Sequence, residues 1–264
     1  MNRANRLRQM YSRGELIRGM HVQIGNPMVT ELLAMIGFDA IWIDTEHTGM
    51  TTQEVLPNLI AIATSPKTAS IVRIPWNDPV LAKPILEMGA DGMVFPMVRN
   101  AEEAKRAIAS CLYPPEGIRG FGPIRAVNYG LLDATEYVRE ISKDDIFKII
   151  QIEHIDAVND IENIIKVPHI DAFVIGAMDL SASLGVLPES THPKVKEAVR
   201  HVQAKAREAK IPLGFSGGYN AGTNTGLEYW LSELKLDFIF AGSDFSLIAN
   251  GARKTYESLI RKQD

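Results

Sequence analysis

The sequence of 264 residues predicts a (β/α)₈ barrel, an α/β fold in which parallel strands alternate with helices around one core. Short β-rich runs alternate with segments of helical period along the whole chain. Several of these runs end in an acid, an arginine or a histidine, as expected when one shared site lies at the carboxyl ends of barrel strands. A doubly wound open sheet is the alternative fold, but no Gly-x-Gly-x-x-Gly follows the first strand.

The runs predicted as strands are short, rich in β-branched or aromatic residues and bounded by polar or turn-forming residues. They are Met20–Ile24, Ala40–Asp44, Ala69–Ile74, Gly92–Pro96, Phe147–Ile152, Ala172–Ile175, Pro212–Phe215 and Phe238–Ala241. The amphipathic helices predicted between them include Pro27–Ile36, Pro79–Met88, Ala101–Ser110 and His192–Glu208. We therefore expect residues 1–264 to form a single barrel domain.

Two segments fall outside the alternating pattern. Residues 1–17 predict an extra N-terminal helix, which in barrels of this kind plugs or caps one end. Residues 113–130 form a long non-periodic stretch that is dense in glycine and proline. Loops of this length and composition are more often functional than idle. We expect this loop to cover the mouth of the barrel.

The composition indicates a globular protein that acts on small molecules. Hydrophobic residues make up 46% of the chain and charged residues 23%, and the formal net charge is −4 with a pI near 5.9. This balance provides no basic surface for nucleic acid or for an anionic membrane, and no signal peptide or membrane span is recognisable. A single cysteine, Cys111, cannot form an internal disulfide and fits a reducing compartment. A cytoplasmic location is expected.

Four predicted strands lead into groups that can hold a metal, an anion or a proton. These groups are Asp44 at the end of the second strand and His47 after it, Arg73 on the third, Glu153 after the fifth and Asp179 after the sixth. Because the carboxyl ends of parallel barrel strands meet at one face, we expect these side chains to share a single site.

Side-chain alternation indicates which chemistry such a site can carry out. If Glu153 points into the barrel, then Gln151 does so too, whereas Lys148 faces the helices. A Schiff-base aldolase needs a desolvated inward lysine near the top of a strand, and no other lysine lies within a predicted strand. Glu153 and Asp179 follow neighbouring strands and instead predict a site for one hard divalent cation, Mg²⁺, Mn²⁺ or Co²⁺.

Structural roles are open for the same residues at this stage. Glu153 and Asp179 could form a satisfied polar layer, or Asp179 could cap a helix. An inward Arg73 needs an anion, which is either a structural acid or a substrate carboxylate. His47 could simply cap a loop, and the other histidines form no cluster. The Asp44-Thr-Glu-His sequence lacks the spacing of a zinc motif.

Six motifs, in order along the chain, resemble the HpcH/HpaI aldolase family, the metal-dependent pyruvate aldolases related to citrate lyase β chains. They are Ile-Asp-Thr-Glu-His, Val-Arg-Ile-Pro-Trp-Asn-Asp-Pro, Gly-Ala-Asp-Gly-Met-Val-Phe-Pro-Met-Val, Tyr-Pro-Pro-Glu-Gly-Ile-Arg-Gly, Ile-Gln-Ile-Glu and Ile-Gly-Ala-Met-Asp-Leu-Ser-Ala-Ser-Leu-Gly. The resemblance extends from about Gly19 to the C-terminus. It implies a barrel that cleaves 4-hydroxy-2-oxo acids to pyruvate and an aldehyde, or condenses them, through a metal-bound pyruvate enolate. It also implies a homo-oligomer, a hexamer whose C-terminal helices exchange between neighbours.

The resemblance further implies roles for the candidate residues. Glu153 and Asp179 would be the metal ligands. Arg73 would hold the pyruvate oxygen that becomes the enolate, and Gln151 would bind the same region. His47 would belong to the proton-transfer apparatus, a role for which the imidazole group is suited near neutral pH. Asp44 would support the histidine or a metal-bound water.

This chain departs from the family pattern at three places. Gly176, Ala177 and Met178 replace a Gly-Pro-Ala or Gly-Pro-Ser sequence before the metal aspartate, and they are predicted to contact the substrate, with backbone amides binding the pyruvate carboxylate. Glu87 stands where members often have an aspartate that partners the histidine, in part across a subunit boundary. His154 replaces a commoner small hydroxyl residue after the metal glutamate.

Two other functions are compatible with the same residues. One is a Claisen-type reaction that makes or splits citrate, or the decarboxylation of oxaloacetate, each of which passes through the same enolate. The other is a non-catalytic protein that retains a pyruvate-like pocket, although the intact acid pair, arginine and histidine argue against it. In the 113–130 loop, Arg125 is expected to reach either an acidic substrate tail or a structural acid.

Overall fold

The computed structural model describes residues 2–217 and 227–260, which form a closed barrel of parallel strands. The strand order around the barrel follows the chain, and β8 closes on β1. The predicted (β/α)₈ barrel is therefore confirmed. The strands are β1 (Ile17–Val22), β2 (Ala40–Asp44), β3 (Ala69–Arg73), β4 (Gly92–Phe95), β5 (Phe147–Ile152), β6 (Ala172–Ile175), β7 (Leu213–Gly217) and β8 (Phe238–Ser243).

Helices precede, connect and follow these strands. They are α1 (Arg3–Ser12), α2 (Pro27–Ile36), α3 (Thr52–Ala63), α4 (Pro79–Glu87), α5 (Ala101–Cys111), α6 (Ala134–Glu136), α7 (Ser142–Asp145), α8 (Ile155–Asn159), α9 (Ile161–Ile164), α10 (Ala177–Ser183), α11 (Pro193–Glu208), α12 (Leu227–Glu233) and α13 (Asp244–Leu259). A short 3₁₀ segment lies at Arg125–Gly130, and a π-helical turn at Tyr137–Ile141. Within the described ranges, no helix combines the length and the hydropathy needed to cross a bilayer.

The bounds of α2 match the sequence prediction because strong local signals mark both of its ends. The Asn26 side chain accepts a hydrogen bond from the N–H of Met28, and Pro27 occupies the first helical position, where its missing N–H has no cost. Gly37 ends the helix in the left-handed conformation, with φ of 99°. In contrast, β1 begins three residues before its predicted start, because its pairing with β8 and β2 sets its bounds.

A ring of four aspartates lies at the amino-terminal end of the barrel. Each aspartate directly precedes an even-numbered strand, and its carboxylate accepts a hydrogen bond from a backbone N–H of the odd-numbered strand before it. The pairs are Asp39 with Arg18 (3.0 Å), Asp91 with Ser70 (2.8 Å), Asp171 with Lys148 (2.8 Å) and Asp237 with Leu213 (2.9 Å). The chain therefore repeats one strand–helix–strand arrangement four times.

Helix α1 closes this end of the barrel. Its Ala4, Leu7 and Met10 are buried among the inward-facing side chains of the strands, in a cluster separate from the core between strands and outer helices. Three arginines of α1 bind three members of the aspartate ring. They pair Arg3 with Asp91 (3.6 Å), Arg6 with Asp39 (2.7 Å) and Arg8 with Asp171 (2.7 Å).

Residues 113–130 lie at the same end, so the prediction that they cover the mouth of the barrel is wrong. The segment follows α5 and precedes β5, and chain order therefore places it where the strands begin. Arg119 donates to the Glu87 carboxylate at the end of α4, and Arg125 donates to the carbonyl of Met88 at 2.7 Å. Arg125 thus binds backbone carbonyls rather than an acid.

Candidate active site

The carboxyl ends of β2 and β3 join an acid to an arginine. Asp44 and Arg73 are register partners, and Nε and Nη2 of Arg73 donate to the two carboxylate oxygens of Asp44 at 2.9 and 2.7 Å. Both residues are buried, and the Arg73 guanidinium lies 5.3 Å from the centroid of the Trp42 ring. This two-point pairing fixes the plane of the guanidinium. Of the two anions expected for Arg73, a structural acid or a substrate carboxylate, the structure therefore shows the first, which is Asp44.

Glu46 is a site residue that the sequence analysis does not select. Its carboxylate lies 2.9 Å from Nη1 of Arg73, and its side chain is only 11% exposed. Burial is the main cause that raises the pKa of Glu46 to about 8; the charge of Arg73 opposes this rise and three neighbouring carboxylates add to it. The available signal was its position two residues after Asp44, in the loop that the strand leads into.

Glu153, directly after β5, is buried and held at both carboxylate oxygens. The backbone N–H of Met97 donates to Oε1 at 2.6 Å, and the side-chain amide of Gln151 donates to Oε2. Burial raises the pKa of Glu153, while these two hydrogen bonds lower it. Met97 adopts a left-handed backbone conformation, with φ of 55°. Such strained positions are concentrated at functional sites, and this one belongs to the residue whose amide binds the acid.

Gly176, after β6, allows the backbone to approach Glu153 closely. A Cβ at this position would lie 2.8 Å from Cβ and 2.9 Å from Oε2 of Glu153. Because non-bonded carbon atoms pack at about 3.5–4.0 Å, any side chain here would displace the acid. Ala177 is buried and Met178 is 42% exposed, and their contacts with substrate stay predictions.

The residues around Glu153 fit a divalent cation. Asp179 lies in the first turn of α10, is exposed, and its charge contributes to the raised pKa of Glu153. The Oε1 atom of Gln151 is buried and accepts no hydrogen bond within the described ranges. These are hard oxygen donors of the kind that Mg²⁺ or Mn²⁺ prefers. Among residues 2–217 and 227–260, no three His, Cys, Asp or Glu side chains form a metal cage, so water and substrate would complete the coordination.

His47 lies in the loop after β2, with its side chain 50% exposed. Its Nε2 is 3.6 Å from Oε2 of Glu46. Asp44 binds the backbone of the same loop, since its Oδ1 accepts from the N–H groups of Glu46 at 3.1 Å and His47 at 3.5 Å. Asp44 therefore supports His47 through the loop backbone, whereas Glu46 faces the imidazole ring.

Two other residues considered from the sequence lie away from this cluster. Glu87 ends α4 on the amino-terminal side of the barrel, where its Oε1 is 3.3 Å from Nη2 of Arg119. A role for Glu87 beside His47 therefore requires a second copy of the chain. Lys148 is buried outside the barrel interior, and its Nζ pairs with Asp171 at 3.0 Å. Lys148 therefore forms its ion pair away from the site, as expected from its predicted direction towards the helices.

His21 lies inside the barrel, although the sequence places it in no cluster. It is 1% exposed, with Nδ1 at 2.9 Å from the carbonyl of Gly242 and Nε2 at 3.0 Å from Oγ of Ser216. Burial lowers the pKa of His21 to about 4, and a neutral ring must then donate from Nδ1 and accept from the serine hydroxyl. Its ring centroid is 5.2 Å from that of Trp42. The two rings form part of the floor beneath Arg73.

The sequence is similar to a family of carbon–carbon bond-cleaving enzymes. The profile of the family described as HpcH/HpaI aldolase/citrate lyase matches residues 18–215. The chain is 36% identical over 234 residues to the 4-hydroxy-2-oxo-heptane-1,7-dioate aldolase of Salmonella typhimurium, covering 89% of this chain and 86% of that protein. It is 32% identical over 237 residues to the 5-keto-4-deoxy-D-glucarate aldolase of Klebsiella pneumoniae, covering 89% of each.

Solved structures agree with this similarity. An HpcH/HpaI aldolase/citrate lyase family protein from Burkholderia cenocepacia superposes with a TM-score of 0.88 at 28% identity, over 97% of this chain and 99% of that one. The citrate synthase SbnG superposes with a TM-score of 0.80 at 24% identity, over 96% of each chain. At that identity the second likeness shows the fold alone.

Proposed function

This chain belongs to the HpcH/HpaI aldolase/citrate lyase family and is a carbon–carbon lyase, and we propose that it is a divalent-metal-dependent class II aldolase. Its substrates in this proposal are 4-hydroxy-2-oxo acids, which it cleaves to pyruvate and an aldehyde or forms in the reverse direction. The two aldolases to which it is 36% and 32% identical support this substrate class.

The arrangement around Glu153 is the observation that carries the proposal. An isolated buried carboxylate would be costly to ionise, and here both oxygens are already oriented by the Met97 and Gln151 hydrogen bonds. Each oxygen has a further lone pair for a cation. Glu153 and Asp179 would hold the metal, which when bound acts as a Lewis acid on the 2-oxo group of the substrate.

Arg73 supplies a second, fixed positive charge. Asp44 and Glu46 hold its guanidinium in one plane, so it does not need to reorganise when negative charge develops on the C2 oxygen of the substrate. Preorganised charge in a water-poor site contributes more than the same charge in water. We assign Arg73 to the binding of this oxygen, with Gln151 alongside.

We assign to His47 the movement of the proton of the C4 hydroxyl. Removal of this proton lets the C4 oxygen form the aldehyde while the C3–C4 bond breaks, and the bonding electrons pass to C3 and the C2 oxygen. Protonation of C3 then yields pyruvate. Glu46, 3.6 Å from the His47 ring and with a pKa near 8, is a second group that can exchange a proton there.

The proposal is tested by metal removal. Chelation should abolish pyruvate release from a 4-hydroxy-2-oxo acid, and Mn²⁺, Co²⁺ or Mg²⁺ should restore it. Glu153→Gln and Asp179→Asn should each weaken Mn²⁺ binding by about 10-fold or more, because a ligand charge is lost. The control is Glu162→Gln, which removes an exposed carboxylate on α9 that pairs with Lys205.

Three outcomes would contradict the assignment. Inactivation by borohydride in the presence of pyruvate would indicate a covalent imine. Consumption of an acetyl thioester with oxaloacetate, without aldol cleavage, would indicate a Claisen-type enzyme. Ligand binding without any turnover would indicate a non-catalytic protein.

We also propose that the chain assembles as a homo-oligomer, with a hexamer expected from the family. At the end of α13 and directly after it, Tyr256 is 69% exposed, Leu259 75% and Ile260 58%. On α2, Met28 is 79% exposed and Met35 75% exposed. Large apolar side chains exposed to this degree on two helices are typical of an interface. Light scattering after size-exclusion chromatography measures the mass directly, and a monomer would contradict this proposal.

A further inference from the structure

We propose that Ser216 accepts a hydrogen bond from a hydroxyl group on the half of the substrate that becomes the aldehyde, and that His21 orients the Ser216 hydroxyl for this role. Ser216 would thus contact the substrate, whereas His21 acts through it as a positioning residue. Neither residue lies in a motif that the sequence analysis selects. The inference rests on the proposed aldolase function, because it concerns the substrate of the same site.

Ser216 lies on the inner face of β7, near the carboxyl end of the strand. Strand alternation puts it on the same side as Gly214, where a Cβ would lie 2.1 Å from the ring of Phe238, one of the inward-facing side chains. Phe215, between them, packs in the core outside the barrel. Ser216 is partly exposed, whereas the three residues before it in β7 are buried. Its side chain is therefore accessible from the mouth of the barrel, where the candidate active site lies.

The His21 ring fixes the direction of the Ser216 hydroxyl. Nδ1 of His21 is 2.9 Å from the carbonyl of Gly242, which can only accept a hydrogen bond, so Nδ1 carries a proton. Burial lowers the pKa of His21 to about 4, so that the ring is neutral near pH 7 and its Nε2 is unprotonated. Nε2 lies 3.0 Å from Oγ of Ser216 and accepts the hydroxyl proton. Oγ of Ser216 then offers a ligand only lone pairs, and its partner must be a hydrogen-bond donor.

The hydrogen bond between His21 and Ser216 spans a part of the mouth to which no reacting group is assigned. In the closed barrel, β7 adjoins β6, which leads to Asp179, and β1 adjoins β2, which leads to His47. The metal ligands follow β5 and β6 and Arg73 ends β3, so C1 and C2 of the substrate are assigned to that side. With C4 at His47, the chain beyond C4 is directed towards β1, β8 and β7.

Ring contacts place His21 beside the groups assigned to the reaction. Its ring centroid is 5.2 Å from that of Trp42, and the Arg73 guanidinium lies 5.3 Å from the Trp42 ring. The charges of Arg73 and Asp44 both influence the pKa of His21, as expected at short range. Ser216 binds the same imidazole and is therefore within reach of a substrate held at Arg73.

The charges around Ser216 favour a neutral ligand group. The carboxyl ends of β1, β7 and β8 and the residues directly after them, 21–24, 216–217 and 241–244, include no lysine or arginine. Their one acid is Asp244, which is buried and accepts hydrogen bonds from two backbone N–H groups after β1. A carboxylate or a phosphate would find no counter-charge there, and burial of an unpaired charge is costly. A hydroxyl supplies the donor that Ser216 needs and carries no charge.

The first experiment measures binding without turnover, with two oxamates that present a carboxylate and a neighbouring carbonyl oxygen to the metal. N-(2-hydroxyethyl)oxamate and N-propyloxamate have nitrogen in place of C3, so neither contains the bond that an aldolase cleaves. They differ only in a hydroxyl or a methyl group on the carbon that corresponds to C5. With Mn²⁺ present, calorimetry gives the ratio of their dissociation constants. Ser216→Ala should shift this ratio by about 5-fold against the hydroxyl compound, the loss expected for one hydrogen bond.

Two further variants accompany this measurement. His21→Phe should shift the ratio in the same direction, because the Ser216 hydroxyl then turns freely and no longer presents only lone pairs. Ser70→Ala is the matched control, since it removes a buried strand hydroxyl that binds Asp91 at the opposite end of the barrel, and it should leave the ratio unchanged.

The second experiment measures the aldol reaction of pyruvate with glycolaldehyde and with propanal. These uncharged aldehydes have equal numbers of heavy atoms and differ in a hydroxyl or a methyl group beside the aldehyde carbon. Ser216→Ala should lower kcat/KM for glycolaldehyde relative to propanal by about 5-fold. The comparison is made within one protein preparation, so a general loss of folded or metal-loaded enzyme cancels from the ratio.

Different results would overturn different parts of the reasoning. Equal losses for the two oxamates or for the two aldehydes in Ser216→Ala would overturn the role of Ser216 and indicate a general defect of the site. An unchanged oxamate ratio in His21→Phe would overturn the role of His21. If the protein forms no aldol product but Ser216→Ala still shifts the oxamate ratio, then the proposed function fails and the hydroxyl contact of Ser216 stands.

Discussion

Gly176→Ala is expected to disable the site through one added methyl group. The new Cβ would lie 2.8 Å from Cβ of Glu153, 2.9 Å from its Oε2 and 3.2 Å from Nε2 of Gln151. Since carbon atoms pack no closer than about 3.5 Å, the acid must move by roughly 0.7–1 Å. Neither neighbour can yield easily, because Glu153 and Gln151 are both 2% exposed and bound to each other.

The displacement has a thermodynamic and a kinetic consequence. Overpacking of a buried site costs about 1–3 kcal/mol of unfolding free energy. A misplacement of about 1 Å at reacting groups costs on the order of 100-fold in rate. We therefore expect Gly176→Ala to fold with reduced stability, to bind Mn²⁺ about 10-fold more weakly, and to lose most of its turnover. The backbone itself can accept alanine, because φ at Gly176 is −97°.

The assay combines urea denaturation of the metal-free protein, Mn²⁺ titration followed by electron paramagnetic resonance, and turnover at saturating metal. Gly122→Ala is the control, since no atom lies within 4 Å of a Cβ built at that position. If Gly176→Ala retained normal Mn²⁺ affinity and turnover, the reasoning would be refuted, because Glu153 would then have room to move without consequence.

Three further variants or conditions test the remaining assignments. Arg73→Lys should lower aldol cleavage and oxaloacetate decarboxylation together by about 10-fold or more, because an ammonium cannot reproduce the two-point pairing with Asp44, and near-native rates for both would make Arg73 purely structural. His47→Ala should cut aldol cleavage by about 100-fold and decarboxylation much less, since only the first reaction deprotonates a hydroxyl; the ratio of the two rates is measured, and equal losses would indicate a site or folding defect. Acidification should destabilise the protein through His21, whose pKa of about 4 lies below its unfolded value of 6.5. The unfolded state then binds more protons, so a contribution of up to about 3 kcal/mol, fully present above pH 6.5, is lost as the pH falls towards 4. Urea denaturation between pH 7 and pH 4.5 should show this loss in the unsubstituted protein and less of it in His21→Asn, and superimposable pH profiles would contradict the assignment.

Local signals allowed much of the fold to be predicted. The ends of α2 are marked by residues next to them in the sequence: Asn26 and Pro27 at the start and Gly37 at the end. The period-2 pattern of β5, continued by one residue, directs Gln151 and Glu153 to the same side. The start of β1 could not be found in this way. Ile17 begins the strand because its N–H binds the carbonyl of Asp237, which is distant in sequence.

In the site too, some residues are predicted by local sequence signals and others are revealed only by the fold. Strand ends predict Asp44, Arg73 and Glu153 as site residues, but nothing in the residue type predicts the left-handed backbone of Met97 or its hydrogen bond to Glu153. Glu46 lies in a loop, where exposure of an acid is the ordinary expectation, and only the fold reveals its burial against Arg73. For residues 113–130, glycine and proline content predicts a functional loop but not its position, whereas chain order does, because a segment between a helix and the next strand must lie where strands begin.

The aspartate ring has a consequence for how the chain folds during synthesis. Helix α1 is made before every barrel strand, but its partner Asp171 is 163 residues further along than Arg8. The apolar side chains of α1 pack against residues that extend to Phe240 of β8. Contacts of such high sequence separation form late in folding. We therefore expect α1 to stay undocked until nearly the whole barrel has emerged from the ribosome, long after the helix itself has been synthesised.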